Sequence, residues 1–297
     1  MGDNRKMKIL VTGAAGFLGT KVMKILKDDF ELIGTDRGSA KGNLKMDITK
    51  KEEVDFVFQK VKPDVVLHIA AMTDVDRCET DKEMANRINV MGTKNIIDGC
   101  ARIKAKLVHI STDFVFNGGK GDYAEDDLPD PLSYYANTKL QAEGLLRRSG
   151  LKWLVIRPEV LYGYNGDGSE RSFVQWVYSS LKQGKEIKVV DDQYNTPTLV
   201  DDIAGALGVL IKKGSEGIYH VAGPDKLSRY DMAVKLAEVF GFDRRLVKRI
   251  KSSELKQTAK RPVDSSLNTE KLKREGVMMH TFEEGLKIMK KQMGIKS

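Results

Sequence analysis

The chain has 297 residues, with 50 lysines and arginines against 42 aspartates and glutamates, two cysteines and four histidines. That length allows one large core or two modest ones; two thiols, Cys78 and Cys100, exclude a disulfide framework, and the scattered histidines exclude a metal-ligand spacing. The formal charge of +8 comes from bases interleaved with acids, and the densest cluster, Arg244-Arg245 with Lys248-Arg249-Ile250-Lys251, has no aromatics to stack bases. A solvated face is expected there rather than a nucleic-acid surface, and a basic rim of this kind attracts phosphate-bearing substrates. The polar start and the absence of a spanning apolar run make a cytoplasmic protein without membrane contact the expectation.

Short β-branched runs alternate with helical periodicity through the first half. Strands are predicted at 8–12, 31–35, 65–69, 107–110 and 153–157, and helices at 17–27, 51–60, 82–103 and 134–148. This order predicts an α/β fold built on a doubly wound, Rossmann-type parallel sheet. After Gly163 the pattern changes: a loop at 164–169, a helix at 171–182, a strand at 187–190, a helix at 200–212 and a strand at 218–221. Ser228-Arg-Tyr-Asp231 and Thr281-Phe-Glu-Glu284 are capping patterns that open two further helices. The predicted organisation is a dinucleotide-binding domain over 7–163, with 193–213 returning to it. A smaller α+β substrate lobe takes 164–192 and 214–297.

The first strand runs into Thr12-Gly13-Ala-Ala-Gly16-Phe17-Leu18-Gly19. The first glycine permits a tight turn, the second lets backbone N–H groups approach a pyrophosphate, and the third lets the helix pack close. Asp36, about twenty residues on at the end of the second strand, is placed to bind ribose hydroxyls. Arg37 beside it suits the 2′-phosphate of NADP, so use of both NADH and NADPH is expected. Tyr135-Ala-Asn-Thr-Lys139 puts a phenol and an ammonium on one helical face. A free tyrosine titrates near pH 10, so a lysine and the positive nicotinamide of an oxidised cofactor are expected to lower it for proton transfer. Upstream, Leu107-Val-His-Ile-Ser111-Thr112-Asp113 reads as a strand whose carboxyl end presents Ser111 and Thr112 where ligands bind in open α/β sheets. Thr112 is the candidate donor to a substrate carbonyl. A second pair at this spacing, Tyr178 and Lys182, has no such hydroxyl upstream and reads as a plain helix face.

The glycine turn, Ser111-Thr112-Asp113 and Tyr135-x-x-x-Lys139 together resemble the extended short-chain dehydrogenase/reductase superfamily. Finer matches resemble its dTDP-4-dehydrorhamnose reductase family: Ala70-Ala-Met-Thr-Asp-Val-Asp-Arg-Cys-Glu79, Asn89-Val-Met-Gly-Thr-Lys-Asn95, Ser111 to Gly118, Asp192 to Thr198 with Asp201-Asp202, and Arg261 to Thr269. The likeness runs from about residue 7 to 290. It implies hydride transfer from NADPH or NADH to C4 of a nucleotide-linked 4-keto-6-deoxysugar, with Thr112, Tyr135 and Lys139 as the catalytic set and Lys139 also on the nicotinamide ribose. By the same resemblance Gly13, Gly16, Phe17 and Leu18 meet the pyrophosphate, Asp47 and Ile48 flank the adenine, Ala70, Ala71 and Thr73 line the path to the nicotinamide, and Ser111 is a further cofactor-binding residue. Thr73, Val75, Thr112 and Asp113 would meet the sugar, Arg261 the nucleotide phosphates, and a homodimer is implied. Two positions depart from the family pattern. Phe114 replaces a usual tyrosine, and Val160 stands where the bacterial enzymes often carry a tryptophan against the sugar. Asp113-Phe114 also argues against the related 4,6-dehydratases, which need Asp-Glu after the threonine. Two other readings follow from relatives of this fold: a non-catalytic regulatory subunit resembling the methionine adenosyltransferase beta subunit, and a sugar-nucleotide epimerase.

Overall fold

Ile9, Leu10 and Val11 are all fully buried, so the strand that carries them needs cover on both faces and belongs at the centre of a parallel sheet. The computed structural model describes residues 5–38, 42–166 and 172–295. Its first half contains β1 (Lys8–Thr12), α1 (Phe17–Ile25), β2 (Glu31–Asp36), β3 (Leu44–Lys45), α2 (Lys51–Val61), β4 (Val65–His68), α3 (Val75–Thr80), α4 (Lys82–Asn86), α5 (Thr93–Ile103), β5 (Lys106–Ile110), α6 (Tyr134–Arg147) and β6 (Trp153–Pro158). The second half adds β7 (Leu161–Tyr162), α7 (Phe173–Lys182), β8 (Ile187–Val190), β9 (Tyr194–Asn195), β10 (Thr198–Leu199), α8 (Val200–Lys212), β11 (Gly217–Val221), β12 (Leu227–Ser228), α9 (Arg229–Phe240), β13 (Val247–Ile250), α10 (Glu270–Arg274) and α11 (Phe282–Gln292). Residues 167–171, which include part of the loop expected at 164–169 and the start of the helix expected at 171, lie outside the described residues. Among the described residues no helix is long and apolar enough to cross a membrane.

Seven strands form one parallel sheet in the order β11-β6-β5-β4-β1-β2-β3. One face buries Val11, Leu18, Val22, Leu207 and Leu210 between the sheet, α1 and α8. The other buries Leu10, Val66 and Leu107 against Phe58 of α2 and Ile96 of α5. Strand order reverses beside β1, which opens a crevice at the carboxyl ends of β1 and β4. A third core joins Val177, Leu236, Phe240, Leu286 and Met289 from α7, α9 and α11 to the β8–β13 pair. The Ser228 hydroxyl accepts from Asp231 N–H, and Thr281 with Glu284 forms a complete capping box. Tyr178 is buried in that core with exposed Lys182 over its ring, so this pair is a helix face remote from the sheet crevice.

Two expectations are corrected. The single helix over 82–103 is α4 and α5 joined by a π-helical stretch, Arg87–Gly92. The wider turn lets Asn89 accept from Met72 N–H (2.8 Å) and donate to Met72 O and to Thr138 Oγ1 (both 3.0 Å), tying the loop after β4 to α6. Hydrophobic period cannot register one inserted residue. The substrate lobe expected from 214 onward also begins too early: β11 is the edge strand beside β6, and Leu272 of α10 and Val277 are buried in the core of α1 and α8.

Behind the sheet's carboxyl edge, Arg157 of β6 and Glu143 of α6 are both wholly buried. Arg157 Nε and Nη2 donate to the two carboxylate oxygens at 3.0 and 2.8 Å. Removing one member of such a pair strands the other charge. Arg157→Ala is expected to cost about 3–5 kcal/mol in urea unfolding, whereas replacing both residues by apolar ones costs much less; equal losses would show that the pairing is not what matters.

Candidate active site

Gly13 has φ +71°, and a Cβ there would come within 2.9 Å of Ala70 N, so only glycine lets the first turn close against the loop after β4. Gly19 packs hard on the turn itself, since a Cβ would fall 2.2 Å from Gly13 O. Gly16 is the N-cap of α1 and has no side chain to cap with, so the first N–H groups of the helix receive no side-chain cap. The Leu18 side chain is in the core and Phe17 packs against it, so these two residues can offer only their backbone there.

The crevice encloses about 360 Å³ and is lined by Gly13, Asp36, Arg37, Asp47, Ile48, Ala70 and Ala71 among the expected residues. Met46, Met72, Met84, Ile88 and Arg77 also line its wall. These were not legible beforehand, because methionines on separate elements carry no shared spacing. Asp36 holds one carboxylate oxygen against Asn43 Nδ2 at 2.6 Å. Burial works to raise the Asp47 carboxyl, but hydrogen bonds from Thr49 and the charge of Arg37 outweigh it and hold it below its ordinary range. An open glycine cradle, an acid at ribose distance along the chain and an apolar slot between methionines fit a dinucleotide.

Tyr135 and Lys139 lie one turn apart on the buried face of α6, 8% and 2% exposed. The Ser133 hydroxyl caps the helix through Ala136 N–H, which fixes the phase of that face. The nearby Thr112 hydroxyl works to lower the Tyr135 phenol, but burial outweighs it and pushes the phenol well above the ordinary value, so the expected lowering is absent in the protein alone. The Lys139 ammonium donates to Ile110 O at 2.6 Å and lies 3.4 Å from His109 Nε2. Burial pulls it down to about 8, against the opposing charge of Glu143. Burial and the nearby Lys139 charge keep His109 neutral, as they do His68, whose Nδ1 meets Thr12 Oγ1 at 2.7 Å.

Ser111 corrects its expectation. Its hydroxyl donates to Glu143 Oε1 at 2.6 Å behind the sheet edge, because neighbouring residues in extended backbone point to opposite sides. Thr112 Oγ1 instead donates to Asp113 Oδ1 (3.0 Å) and accepts from Phe114 N–H (3.2 Å). Val75, half-buried, opens α3 after the Asp74 cap, and Thr73 is exposed just before it. The Phe114 ring meets Tyr135 edge-on at 6.4 Å. Arg261 is not a free cation: Nη2 and Nη1 pair with the Asp76 carboxylate at 2.6 and 3.2 Å, which joins the C-terminal segment to α3. An ion pair between residues 185 apart leaves no trace in sequence spacing.

Sequence reasoning also missed a second acid beside the first. Glu159 is wholly buried, and Ser265 Oγ lies between it (3.0 Å) and Asp113 Oδ2 (2.6 Å). Burial and the Asp113 charge push Glu159 up to about 8, and burial raises Asp113 to about 6. The available signal was an acid inside the apolar run Val155 to Leu161, two residues after a buried arginine.

Residues 7–295 match the family model of the RmlD substrate binding domain. The dTDP-4-dehydrorhamnose reductase of Aggregatibacter actinomycetemcomitans is 31% identical over 94% of this chain and 97% of its own. The mouse methionine adenosyltransferase 2 subunit beta is 29% identical over 94% and 86%. The crystal structure of the Bacillus anthracis dTDP-4-dehydrorhamnose reductase in complex with NADP superposes with a TM-score of 0.89 at 30% identity, covering 97% of this chain and 99% of that one. The glycine crevice, the buried Tyr135–Lys139 face and these likenesses agree: the chain belongs to the RmlD family of extended short-chain dehydrogenase/reductases, NAD(P)-dependent oxidoreductases.

Proposed function

We propose that the protein reduces the 4-keto group of a nucleotide-linked 6-deoxysugar, dTDP-4-dehydrorhamnose above others, giving dTDP-L-rhamnose. The observation that carries this reading is the buried face of α6, which holds Tyr135 where Thr112 acts on its phenol at the end of β5, with Lys139 one turn away and also buried. The dinucleotide, held by Gly13, Gly16, Asp36, Asp47, Ala70 and Ala71, supplies hydride to C4 when bound. The Thr112 hydroxyl, which donates to Asp113 in the protein alone, turns its one proton to the carbonyl oxygen when the substrate binds and so orients it. Tyr135 then gives its proton to the oxygen as negative charge develops there. A phenol raised by burial is fully protonated at neutral pH, which is the state reduction needs, and a developing alkoxide is basic enough to take the proton. Lys139 compensates the phenolate left behind. Asp113 accepts from a sugar hydroxyl, with Val75 and Phe114 forming an apolar wall.

A second reading rests on the likeness to the mouse methionine adenosyltransferase subunit. There the same cleft would hold a dinucleotide without turnover, and the protein would act by binding a synthetase.

Tyr135→Phe is expected to lower kcat by roughly 10²–10⁴-fold with dTDP-4-dehydrorhamnose while NADPH affinity changes little. Cofactor binding by the wild type with no ketosugar turnover, together with capture of a synthetase, would favour the second reading. Lys139 is charged below its folded value of about 8, so kcat should be level near pH 7 and fall as pH rises through 8. An alkaline loss that persists unshifted in Lys139→Arg would assign it elsewhere. With both Asp36 and Arg37 at the cleft, dissociation constants for NADH and NADPH should lie within about a hundredfold of each other, a span of about 2.7 kcal/mol, by titration.

A further inference from the structure

Ser265 Oγ is within hydrogen-bond distance of two carboxylate oxygens, Asp113 Oδ2 at 2.6 Å and Glu159 Oε1 at 3.0 Å, and it has one proton. Two O–H···O bonds need two protons, so for both contacts to be hydrogen bonds one carboxyl brings its own. Asn195 Nδ2 donates to Glu159 Oε1 at 2.8 Å and to Ser265 Oγ at 3.0 Å, and turning its amide over would only add another acceptor. Thr196 Oγ1 donates to Glu159 Oε2. Each acid accepts from a threonine at its other oxygen, so burial decides, and the proton is better placed on Glu159, the more deeply enclosed of the two. The charges facing the cluster are Arg229 at the start of α9, influenced by both acids, with Arg261 beyond it. Tyr135 feels the Asp113 charge from α6. One guanidinium beside one carboxylate and one carboxylic acid leaves the cluster neutral. The chain is also bent out of line here: Val160, the next residue, has φ +37°, which a β-branched side chain resists, and such strain persists where the surroundings hold it.

We propose that Glu159 is a positioning residue kept protonated, its proton donated to Ser265 and that of Ser265 to Asp113, so that Asp113 stays an ionised acceptor beside Thr112. This rests on Asp113 meeting a hydroxyl of the sugar. It makes Glu159 and Ser265 determinants of sugar binding that never touch the sugar.

The test compares wild-type protein with Glu159→Gln, whose amide donates to Ser265 without titrating. A carboxyl with a higher proton affinity folded than unfolded loses stability as pH rises from its unfolded value near 4.5 to its folded value near 8. The melting temperature of Glu159→Gln relative to wild type should therefore climb by roughly 2–4 °C per pH unit between 5 and 8. A difference that does not change with pH overturns the proposal, whether or not the sugar is reduced. A climbing difference without turnover upholds the shared proton and overturns only the reductase reading. Infrared spectra of the wild-type protein give a second measurement: a neutral-carboxyl stretch at pH 7 that vanishes above about pH 8 supports the assignment, and its absence at pH 7 refutes it. In turnover, Glu159→Ala should raise the ketosugar KM ~tenfold, with Glu159→Gln recovering most of the loss. A fall in kcat at unchanged KM would make Glu159 something other than a positioning residue.

Discussion

The candidate active site depends on one face of α6 being pressed against the carboxyl ends of β5 and β6 and kept dry. Glu143 on that helix binds Arg157 and Ser111 from the two strands, and Arg157 also covers the Phe116 ring at 5.1 Å. Tyr135 and Lys139 are carried by the same face, so the contact that fixes the helix also desolvates them. Burial then moves the two groups in opposite directions, the phenol up and the ammonium down. Both shifts favour neutral forms. On the proposed mechanism a proton donor is thereby held ready, and charge separation waits for the ligands that compensate it.

The same economy of contacts joins the halves of the molecule around the crevice. Arg261 reaches back to Asp76, and Lys21 of α1, nearly buried, binds Asp201 of α8 and Gln292 of α11. Gly118, at φ +80°, lies so close to Pro262 that a Cβ would meet it at 2.6 Å. The loop after β5 is thereby seated on the segment that brings Ser265 to Asp113. Thr112, Asp113, Ser265 and Glu159 come from three stretches of chain, and backbone packing of this kind holds them in register.

Apolar runs such as Val65 to His68 and Trp153 to Pro158 were legible because strands buried on both faces need continuous β-branched and apolar residues. The glycine turn was legible for a similar reason, since φ +71° and a 2.9 Å approach to Ala70 N tolerate no side chain. Tyr135 and Lys139 could be paired because a helical turn is a local rule. Ser111 misled because its strand end was recognisable, whereas the side its hydroxyl takes is set by Glu143, thirty-two residues on. The π-helical stretch at Arg87–Gly92 and the placement of β11 in the large sheet were likewise invisible, being choices made by neighbours.

By itself the sequence determined what short-range sterics and periodicity control: the order of strands and helices, the phosphate-sized turn, and a phenol and an ammonium one turn apart. Tertiary structure alone decided which charges survive. It paired Arg261 with Asp76, turned Ser111 towards Glu143, and set two acids around one serine hydroxyl. Ionisation of a buried group depends on what surrounds it in three dimensions, through desolvation and the count of donors and acceptors, and neither quantity is carried by spacing along the chain.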